Sequence, residues 1–262
     1  MMKPTDFASK LFAVTGAAQG IGAAITQALL DRDAIVAALD ICADTLQAFR
    51  DRIASPRLHT YCLDVSSHSQ VKSIINCLES DLGPIVGWIN VAGILTPKSI
   101  LETTPDDWER TFAVNTTGVF NACQCVAQVM VPRCSGAIVT VSSNAASVPR
   151  QNMAAYAASK AAATQFTRCL GLELAEFGIR CNIVSPGSTD TPMQRSLWSN
   201  ATDDVPDAVL QGSLSHFRIG IPLRRIASPE DVADAVLFLL SDRARHITLH
   251  DLRIDGGATL GA

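Results

Sequence analysis

A tyrosine and a lysine lie four residues apart in a stretch with helical periodicity. Tyr156 and Lys160 have this spacing within residues 154–177, which places both side chains on one face of a helix. A nearby ammonium favours the phenolate and lowers the pKa of a tyrosine. Such a phenol can exchange a proton with an alcohol or a ketone near neutral pH. Because this spacing is common on helices, the pair alone does not indicate a catalytic site. Polar residues elsewhere in the chain must support that interpretation.

Further polar residues precede this pair in apolar surroundings. Ser142 and Ser143 follow the apolar run 137–141, a predicted strand. Open α/β sheets bind ligands at the carboxyl ends of their strands, so a serine there could hold a substrate oxygen beside Tyr156. Asn115 interrupts an apolar helical stretch, and a buried amide needs hydrogen-bond partners.

A glycine-rich turn follows the first apolar run. Gly16, Gly20 and Gly22 lie between the run 11–15 and a helical stretch. In a strand–turn–helix unit, such glycines let the backbone approach a pyrophosphate, and the helix N-terminus supplies free N–H groups. The pattern therefore predicts a dinucleotide site.

Two acidic residues end the next two apolar runs. Asp40 ends the second run, where a carboxylate accepts hydrogen bonds from the adenosine ribose and repels a 2′-phosphate. No lysine or arginine lies between Gly16 and Gly22, so the pattern favours NAD over NADP. Asp64 ends the third run and either binds the adenine amino group or caps the helix that follows.

Apolar runs alternate with helical patterns along the chain. The predicted strands are 11–15, 35–40, 59–63, 86–90, 137–141, 180–184 and 248–254. The predicted helices are 21–31, 69–81, 105–113, 118–131, 154–177 and 229–240. Continuous apolar strands between helices indicate a parallel sheet covered on both faces. We therefore predict an α/β fold, with one doubly wound Rossmann-type domain over 1–262, a seven-stranded, mostly parallel sheet, and a substrate lid at 189–222.

Composition and charge exclude several classes of protein. Of 262 residues, 48% are hydrophobic and 18% charged, which is enough for a large core and excludes a disordered chain. Lysine and arginine number 21 against 25 acidic residues, so no basic excess indicates a nucleic-acid partner. The longest uncharged stretch, 111–132, contains several amides and hydroxyls, which argues against a membrane span. The eight cysteines form no C-x-x-C pair. We therefore expect a cytoplasmic protein with no metal site.

Together these motifs resemble the short-chain dehydrogenase/reductase family over nearly the whole chain. The resemblance rests on the glycine turn, the segment 90–93, Asn115, Ser143, Tyr156, Lys160 and Pro186-Gly187. It implies four catalytic residues, which are Asn115, Ser143, Tyr156 and Lys160. It also implies a cofactor site formed by Gly16, Gln19, Gly20, Ile21, Gly22, Asp40, Asp64, Val65, Asn90, Ala92, Gly93, Tyr156, Lys160, Pro186, Gly187 and Thr189.

The resemblance also implies a role for each catalytic residue. Tyr156 would exchange the proton, and Lys160 would hold the nicotinamide ribose and tune the phenol. Ser143 would orient the substrate, and Asn115 would complete a proton relay. Val91 departs from the asparagine usual at its position, which does not endanger cofactor binding.

Two stretches, 180–195 and 246–262, are similar to a narrower group within this family. Members of that group oxidise a dihydro-dihydroxybenzoate to the catechol acid with NAD, in siderophore biosynthesis. A benzoate-type substrate needs a cation for its carboxylate, and arginine can bind one bidentately. Arg150, six residues before Tyr156, is the preferred candidate, and Arg195 is the alternative. Met153 and Met193 could pack on the ring.

Other functions remain open at this point. The substrate could be a related dihydro-aromatic acid such as dihydro-3-hydroxyanthranilate, or the protein could be a general NAD-dependent alcohol or ketone oxidoreductase. A non-catalytic NAD-binding module is a remote alternative, because such a module would not need Ser143, Tyr156 and Lys160. The resemblance further implies a homotetramer built on the long helices.

Overall fold

Seven strands form one parallel sheet through the middle of the molecule. The computed structural model describes residues 6–198 and 205–261. The sheet strands are β1 (Leu11–Thr15), β2 (Ile35–Asp40), β3 (Leu58–Cys62), β4 (Ile85–Asn90), β5 (Gly136–Val141), β6 (Ile179–Pro186) and β9 (Asp251–Ile254). Their order is β3-β2-β1-β4-β5-β6-β9, and all six neighbouring pairs are parallel. The predicted doubly wound α/β fold is confirmed.

Helices cover both faces of this sheet. They are α1 (Gly20–Leu30), α2 (Ala43–Ile53), α3 (His68–Asp81), α4 (Pro105–Phe112), α5 (Gly118–Met130), α6 (Ala154–Leu174), α7 (Pro192–Arg195), α8 (Asp207–Leu210) and α9 (Pro229–Leu240). None of the helices in the described part of the chain is long and apolar enough to cross a membrane.

The first strand shows why its sequence is apolar throughout. Phe12 and Val14 pack in the cluster that contains side chains of α1, α2 and α9. Leu11 and Ala13 point to the other face and pack in the cluster formed with α3, α5 and α6. Because successive side chains of a strand alternate between the faces, a strand buried on both sides reads as a continuous hydrophobic run.

The strand order reverses between β1 and β4, which opens a crevice at the carboxyl ends of the strands. Thr15, the last residue of β1, is buried, and its Oγ1 accepts hydrogen bonds from the amides of Val91 (3.0 Å) and Ala92 (3.2 Å). The chain leaving β4 is thereby fixed beside the glycine turn that leaves β1.

The structure corrects two predicted elements. The helices predicted at 105–113 and 118–131 are joined by a π-helical turn, Ala113–Thr117, which contains Asn115. The strand predicted from residue 248 begins at Asp251, because Leu249 has a φ of 62°, in the left-handed region that a strand cannot include.

The segment predicted as a lid, 189–222, contains little regular structure. Its described part holds α7, α8 and an antiparallel hairpin of two short strands, β7 (Gly212–Ser213) and β8 (Arg218–Ile219). Residues 199–204 lie outside the described residues. That this segment covers the site stays a prediction.

Candidate active site

Tyr156 and Lys160 meet one turn apart on α6, as their spacing predicts. The Lys160 Nζ lies 5.9 Å from the centre of the Tyr156 ring. It donates a hydrogen bond of 2.9 Å to the carbonyl oxygen of Val141, the last residue of β5. Lys160 is 5% exposed, so its ammonium is held between the end of a central strand and the tyrosine.

Burial, rather than the neighbouring cation, sets the acidity of this pair in the protein alone. It lowers the pKa of Lys160 to about 8, since desolvation disfavours the charged form. Burial also raises the pKa of Tyr156, and a hydrogen bond with Ser143 opposes that rise. Burial outweighs the Ser143 hydrogen bond in the net shift of the Tyr156 pKa, and the effect of Lys160 on the phenol stays a prediction. A cationic group beside the phenol would lower its pKa.

The two serines after β5 have different surroundings. Ser142 is buried, and its Oγ lies 2.6 Å from Thr164 Oγ1 and 3.3 Å from the Lys160 carbonyl oxygen, so it ties β5 to α6. Ser143 is partly exposed and hydrogen-bonds the Tyr156 side chain. Its Oγ also accepts a bond of 3.1 Å from the Ala145 amide. The fold thus brings Ser143, and not Ser142, beside the phenol.

Asn115 holds the chain that leaves β4 against α6. Its Oδ1 accepts from the Ile94 amide, and its Nδ2 donates to the Ile94 carbonyl, both at 2.9 Å. The same Nδ2 donates to Ser159 Oγ at 3.0 Å. A Cβ at Gly93 would lie 3.2 Å from Asn115 Oδ1 and 3.3 Å from Lys160 Nζ. The amide and the ammonium therefore flank the same glycine, and the missing side chain there keeps the space beside them open.

The glycine turn has the close packing that a pyrophosphate cradle requires. Gly16 has a φ of 65°, and a Cβ there would lie 2.8 Å from the Ala92 Cα. A Cβ at Gly22 would lie 2.0 Å from the Gly16 carbonyl oxygen. Gln19 is exposed and Ile21 half-buried at the start of α1, and the first turn of α1 contains no acidic residue. The backbone and the helix N-terminus fit a phosphate group.

The carboxylate of Asp40 borders this turn at the end of β2. Its Oδ2 accepts a bond of 3.1 Å from the Ala18 amide, and its Oδ1 accepts one of 3.2 Å from the Cys42 amide. Each carboxylate oxygen can accept further bonds. These acceptors therefore fit the hydroxyl donors of a dinucleotide ribose.

Asp64, in contrast, serves the local turn. Its Oδ1 accepts from the Ser66 amide (2.9 Å) and the Ser66 hydroxyl (2.7 Å), just before α3. This contact closes the turn before α3 but does not cap the helix, because the N-cap residue is Ser67. The adenine contact stays a prediction. The Val65 side chain packs against α5, since a Cβ at Gly118 would lie 2.6 Å from Val65 Cγ2.

Asn90 cannot offer its side chain to a cofactor. It is 3% exposed, and its Oδ1 accepts a bond of 2.8 Å from Trp88 Nε1. Its Nδ2 donates to Cys123 Sγ and Thr140 Oγ1, each at 3.2 Å. Alternation along β4 directs the Asn90 side chain into the core. A contact of this residue with the adenosine half would therefore come from its backbone and not from its side chain.

The segment after β6 lies beside the turn that contains Ser143. Gly187 follows Pro186, and its amide donates to the Ile254 carbonyl at 2.9 Å. A Cβ at Gly187 would lie 3.3 Å from the Asn144 Nδ2 and 2.7 Å from the Asp255 Cβ. Thr189 is buried two residues further on. The segment expected to border the nicotinamide is therefore in contact with the neighbour of Ser143.

The two arginine candidates differ in their partners. Arg195 donates to both carboxylate oxygens of Asp190, at 2.6 and 3.0 Å, and its guanidinium lies 5.6 Å from the centre of the Trp198 ring. Arg150 is half-buried on the loop before α6, and within the described residues it has no carboxylate in salt-bridge distance. Burial lowers the pKa of Arg150, and the charge of Asp255 opposes this shift. Among the described residues, Arg195 is therefore in an ion pair with Asp190, and Arg150 is in none.

The two methionine candidates are on different elements. Met153 is half-buried and immediately precedes α6, three residues before Tyr156. Met193 is 37% exposed on α7.

Sequence analysis did not identify Arg218. Its Nη2 donates a bond of 3.0 Å to Ser188 Oγ, next to Gly187. Burial lowers the pKa of Arg218, and the charge of Arg150 lowers it further, which brings two guanidinium groups near one another. In the sequence, the signal that could have identified Arg218 is its position as a basic residue between two apolar ones, Phe217 and Ile219.

Known proteins similar to this chain match it over nearly its full length. A family model described as enoyl-(acyl carrier protein) reductase matches residues 16–259. The chain is 50% identical over 262 residues to 2,3-dihydro-2,3-dihydroxybenzoate dehydrogenase of Bacillus subtilis (strain 168), with 99% of this chain and 100% of that protein covered. It is 43% identical over 257 residues to the protein of the same name from Escherichia coli (strain K12), with 98% and 100% covered.

The fold is also similar to that of a solved protein. The crystal structure of gox2181 has a TM-score of 0.88 with this chain, at 28% sequence identity and with 98% of each chain covered. The family model and the relatives each extend from the glycine turn past the last strand. The chain therefore belongs to the short-chain dehydrogenase/reductase family of nicotinamide-dependent oxidoreductases.

Proposed function

We propose that this protein oxidises 2,3-dihydro-2,3-dihydroxybenzoate to 2,3-dihydroxybenzoate with NAD, in siderophore biosynthesis. The observation that carries the proposal is the full-length identity of 50% to a dehydrogenase named for this substrate. The geometry supports it, because Tyr156, Ser143 and Lys160 converge at the carboxyl end of β5. Arg150, on the adjoining loop, forms no ion pair with any residue that the structure describes.

The proton route starts at the ring hydroxyl. The Ser143 hydroxyl would donate a hydrogen bond to the oxygen of the substrate hydroxyl and keep it beside Tyr156. Tyr156, as the phenolate, would accept the proton of the substrate hydroxyl. The ring carbon that carries this hydroxyl would lose a hydride, for which NAD supplies the acceptor when it is bound. The resulting dienone loses a ring proton and gains an enol proton, which gives the aromatic catechol acid. Aromatisation makes the oxidation strongly favourable.

Lys160 and Asn115 would support this step from below the phenol. The Lys160 ammonium, fixed by the Val141 carbonyl, would hold the nicotinamide ribose and favour the phenolate. Asn115, whose side chain is fully bonded to Ile94 and Ser159, would keep the floor of the site in place. The amide of Asn115 borders the position at Gly93 where there is no side chain, and a relay water would occupy that space.

The choice of NAD rests on Asp40. Its carboxylate lies at the glycine turn, where it would bind ribose hydroxyls and repel a 2′-phosphate. The turn itself, 16–22, contains no cation to offset that repulsion. We therefore assign NAD as the cofactor, with the glycine turn, the 90–93 backbone and the segment 186–189 as the remaining contacts.

The test is a turnover measurement with three substrates, each offered with NAD and with NADP. The substrates are trans-2,3-dihydro-2,3-dihydroxybenzoate, the amino analogue dihydro-3-hydroxyanthranilate, and a cyclohexenol without a carboxylate. We expect rapid NADH formation only from the dihydroxy acid with NAD. Turnover of only the amino analogue would replace the substrate, and turnover of only the plain alcohol would contradict a carboxylate site.

We also propose a homotetramer that buries the exposed faces of α5 and α6. Phe120 on α5 is 41% exposed and Leu172 on α6 is 70% exposed. Phe120 stacks edge-on against Phe166 of α6, with ring centres 5.8 Å apart, so the two helices offer one apolar surface. Light scattering should report four subunits for the wild type and fewer for Leu172→Glu; a wild-type monomer would contradict the proposal.

A further inference from the structure

The short hairpin β7–β8 has an inverted pattern of burial. Arg218 pairs with Ser213 in this hairpin and is half-buried. Its apolar neighbours are more exposed, since Phe217 is 88% and Ile219 46% exposed, and Leu214 at the tip is 91% exposed. Arginine is rarely buried unless it is paired. The hairpin therefore directs its charge, rather than its apolar side chains, toward the body of the protein.

The position to which Arg218 points adjoins the reaction centre. Its Nη2 donates to Ser188 Oγ at 3.0 Å, and the Ser188 carbonyl accepts from the Ala227 amide at 2.9 Å. Ser188 follows Gly187, where a Cβ would lie 3.3 Å from the Nδ2 of Asn144, the residue after Ser143. The bond to Ser188 therefore ties Arg218 to the segment that adjoins the Ser143 turn.

A second guanidinium faces the same region without an acidic partner. Arg133, in contrast, lies 2.6 Å from the carboxylate of Glu79. Within residues 6–198 and 205–261, neither Arg150 nor Arg218 has a carboxylate within 4.0 Å. Instead, the charge of Arg150 lowers the pKa of Arg218. Two half-buried like charges are unfavourable, and a bound anion would remove that cost.

Asp255 forms no ion pair with Arg150 or Arg218 among the described residues. Its charge raises the pKa of Arg150, but its carboxylate oxygens bond to other groups. Oδ2 accepts from Thr259 Oγ1 (2.7 Å) and Asn144 Nδ2 (3.3 Å), and Oδ1 accepts from the Gly257 amide (3.0 Å). Asp255 therefore fixes the turn beside Ser143, and the two guanidinium groups keep donors for a ligand.

We infer that Arg218 and Arg150 together bind the carboxylate of the substrate, one from the hairpin and one from the loop before α6. This inference rests on the proposed function and adds a second, specificity-determining cation to its site. A carboxylate has enough acceptor sites to bond to two guanidinium groups at once. Two such contacts would fix the plane of the carboxylate and hence the orientation of the ring. Rings that carry a carboxylate would be selected over neutral cyclohexenols.

The test compares Arg218→Met, Arg150→Met and the double variant, with Arg245→Met as a control that removes one exposed arginine elsewhere. For the dihydroxy acid, we expect each single variant to raise KM about 30-fold with a smaller change in kcat. The KM for a neutral cyclohexenol and the Kd for NADH should stay at wild-type values. Because both residues would bind one anion, the double variant should raise KM by less than the product of the two single effects. Arg218→Lys should recover part of the loss.

Several outcomes would overturn the inference. An unchanged KM for the acid in Arg218→Met would remove Arg218 from the site. An equal rise in KM for the acid and for the neutral alcohol would assign it a structural role in the hairpin. A weaker Kd for NADH would assign it to the cofactor instead.

A binding measurement separates this inference from the proposed function. Calorimetry of benzoate, 2,3-dihydroxybenzoate and catechol with the protein–NADH complex needs no turnover. If the wild type does not oxidise the dihydroxy acid but binds both acids, and Arg218→Met loses that binding, the substrate assignment fails and the carboxylate site stands. If wild type and Arg218→Met bind the acids equally, the carboxylate site fails.

Discussion

The side chains around Tyr156 are held by the core of the sheet, whereas Arg218 is held by a hairpin with two residues in each strand. Lys160 is 5% exposed and Asn115 is fully buried, and their polar atoms bond to the carbonyl of Val141 and to the backbone of Ile94. The hairpin instead exposes Leu214 and Phe217, and among the described residues Arg218 has one side-chain hydrogen bond, to Ser188.

This difference separates chemistry from specificity. Groups that transfer a proton must be preorganised within a fraction of an ångström, and a packed core provides that rigidity. Groups that recognise one substrate can be placed on connecting segments, which tolerate change more readily than the core does. The same reaction centre can therefore serve many alcohols, while short segments such as this hairpin select among them.

The largest expected effect comes from the centre of the core-held region. Tyr156→Phe should lower kcat by about 1,000-fold, because it removes the proton acceptor and little else. The Kd for NADH, measured by fluorescence, should change by less than about 3-fold. Tyr61→Phe, which changes the other tyrosine of the chain, is the matched control. Retained turnover in Tyr156→Phe would break the assignment of the chemistry to this region.

A smaller effect is expected at the adenosine end, where two strand-end carboxylates can be compared. Asp40→Ala should shift the preference for NAD over NADP by about 30-fold toward NADP, through the ratio of kcat/KM values. Asp64→Ala should shift it much less, because the Asp64 carboxylate caps the turn at Ser66. Equal shifts in both variants would indicate that cofactor choice does not depend on Asp40.

The buried ammonium should be costly to the stability of the cofactor-free protein. The pKa of Lys160 falls from 10.5 to about 8 on burial. Below pH 8 the side chain is charged in both the folded and unfolded states, and only the folded state bears the desolvation cost. Lys160→Met should therefore raise the free energy of unfolding by about 1–2 kcal/mol at pH 7, after loss of the bond to Val141.

The pH dependence provides the control for this prediction. Between about pH 8 and pH 10.5 the folded protein binds fewer protons at Lys160 than the unfolded chain does, so wild-type stability rises relative to Lys160→Met. Denaturant unfolding at several pH values should show the advantage of the variant shrinking over this range. A constant difference across these pH values would mean that the lysine is buried without a charge-related cost.

The smallest effect is expected at Arg195, the cation that the sequence offered as an alternative to Arg150. Arg195→Met should change KM for the acid by less than about 3-fold, because Arg195 bonds to Asp190 and not to the substrate. Loss of this exposed ion pair should also change the stability little. Its effect should be well below that of Arg218→Met. A larger effect at Arg195 than at Arg218 would reverse the assignment of the carboxylate site.

Much of the core-held region could be predicted because it depends on local patterns. The spacing of Tyr156 and Lys160 fixes a common helix face, and the apolar run before Ser143 fixes a strand end. The glycine turn likewise follows from its place between a strand and a helix. The π-helical turn at Ala113–Thr117 could not be predicted, because it depends on the bonds that Asn115 makes to Ile94, 21 residues earlier.

The sequence by itself determined the seven sheet strands, the cofactor turn and the residues available for proton transfer, and it determined most of the helices but not α2 (Ala43–Ile53). Periodicity and short spacings encode these features within a few residues of each other. Only the tertiary structure decided which polar groups meet across the fold: Asn90 bonds to Cys123 and Thr140, and Asn115 bonds to Ile94. It also brought Arg218 toward Arg150. Partners distant in sequence are chosen by packing, which no local pattern records.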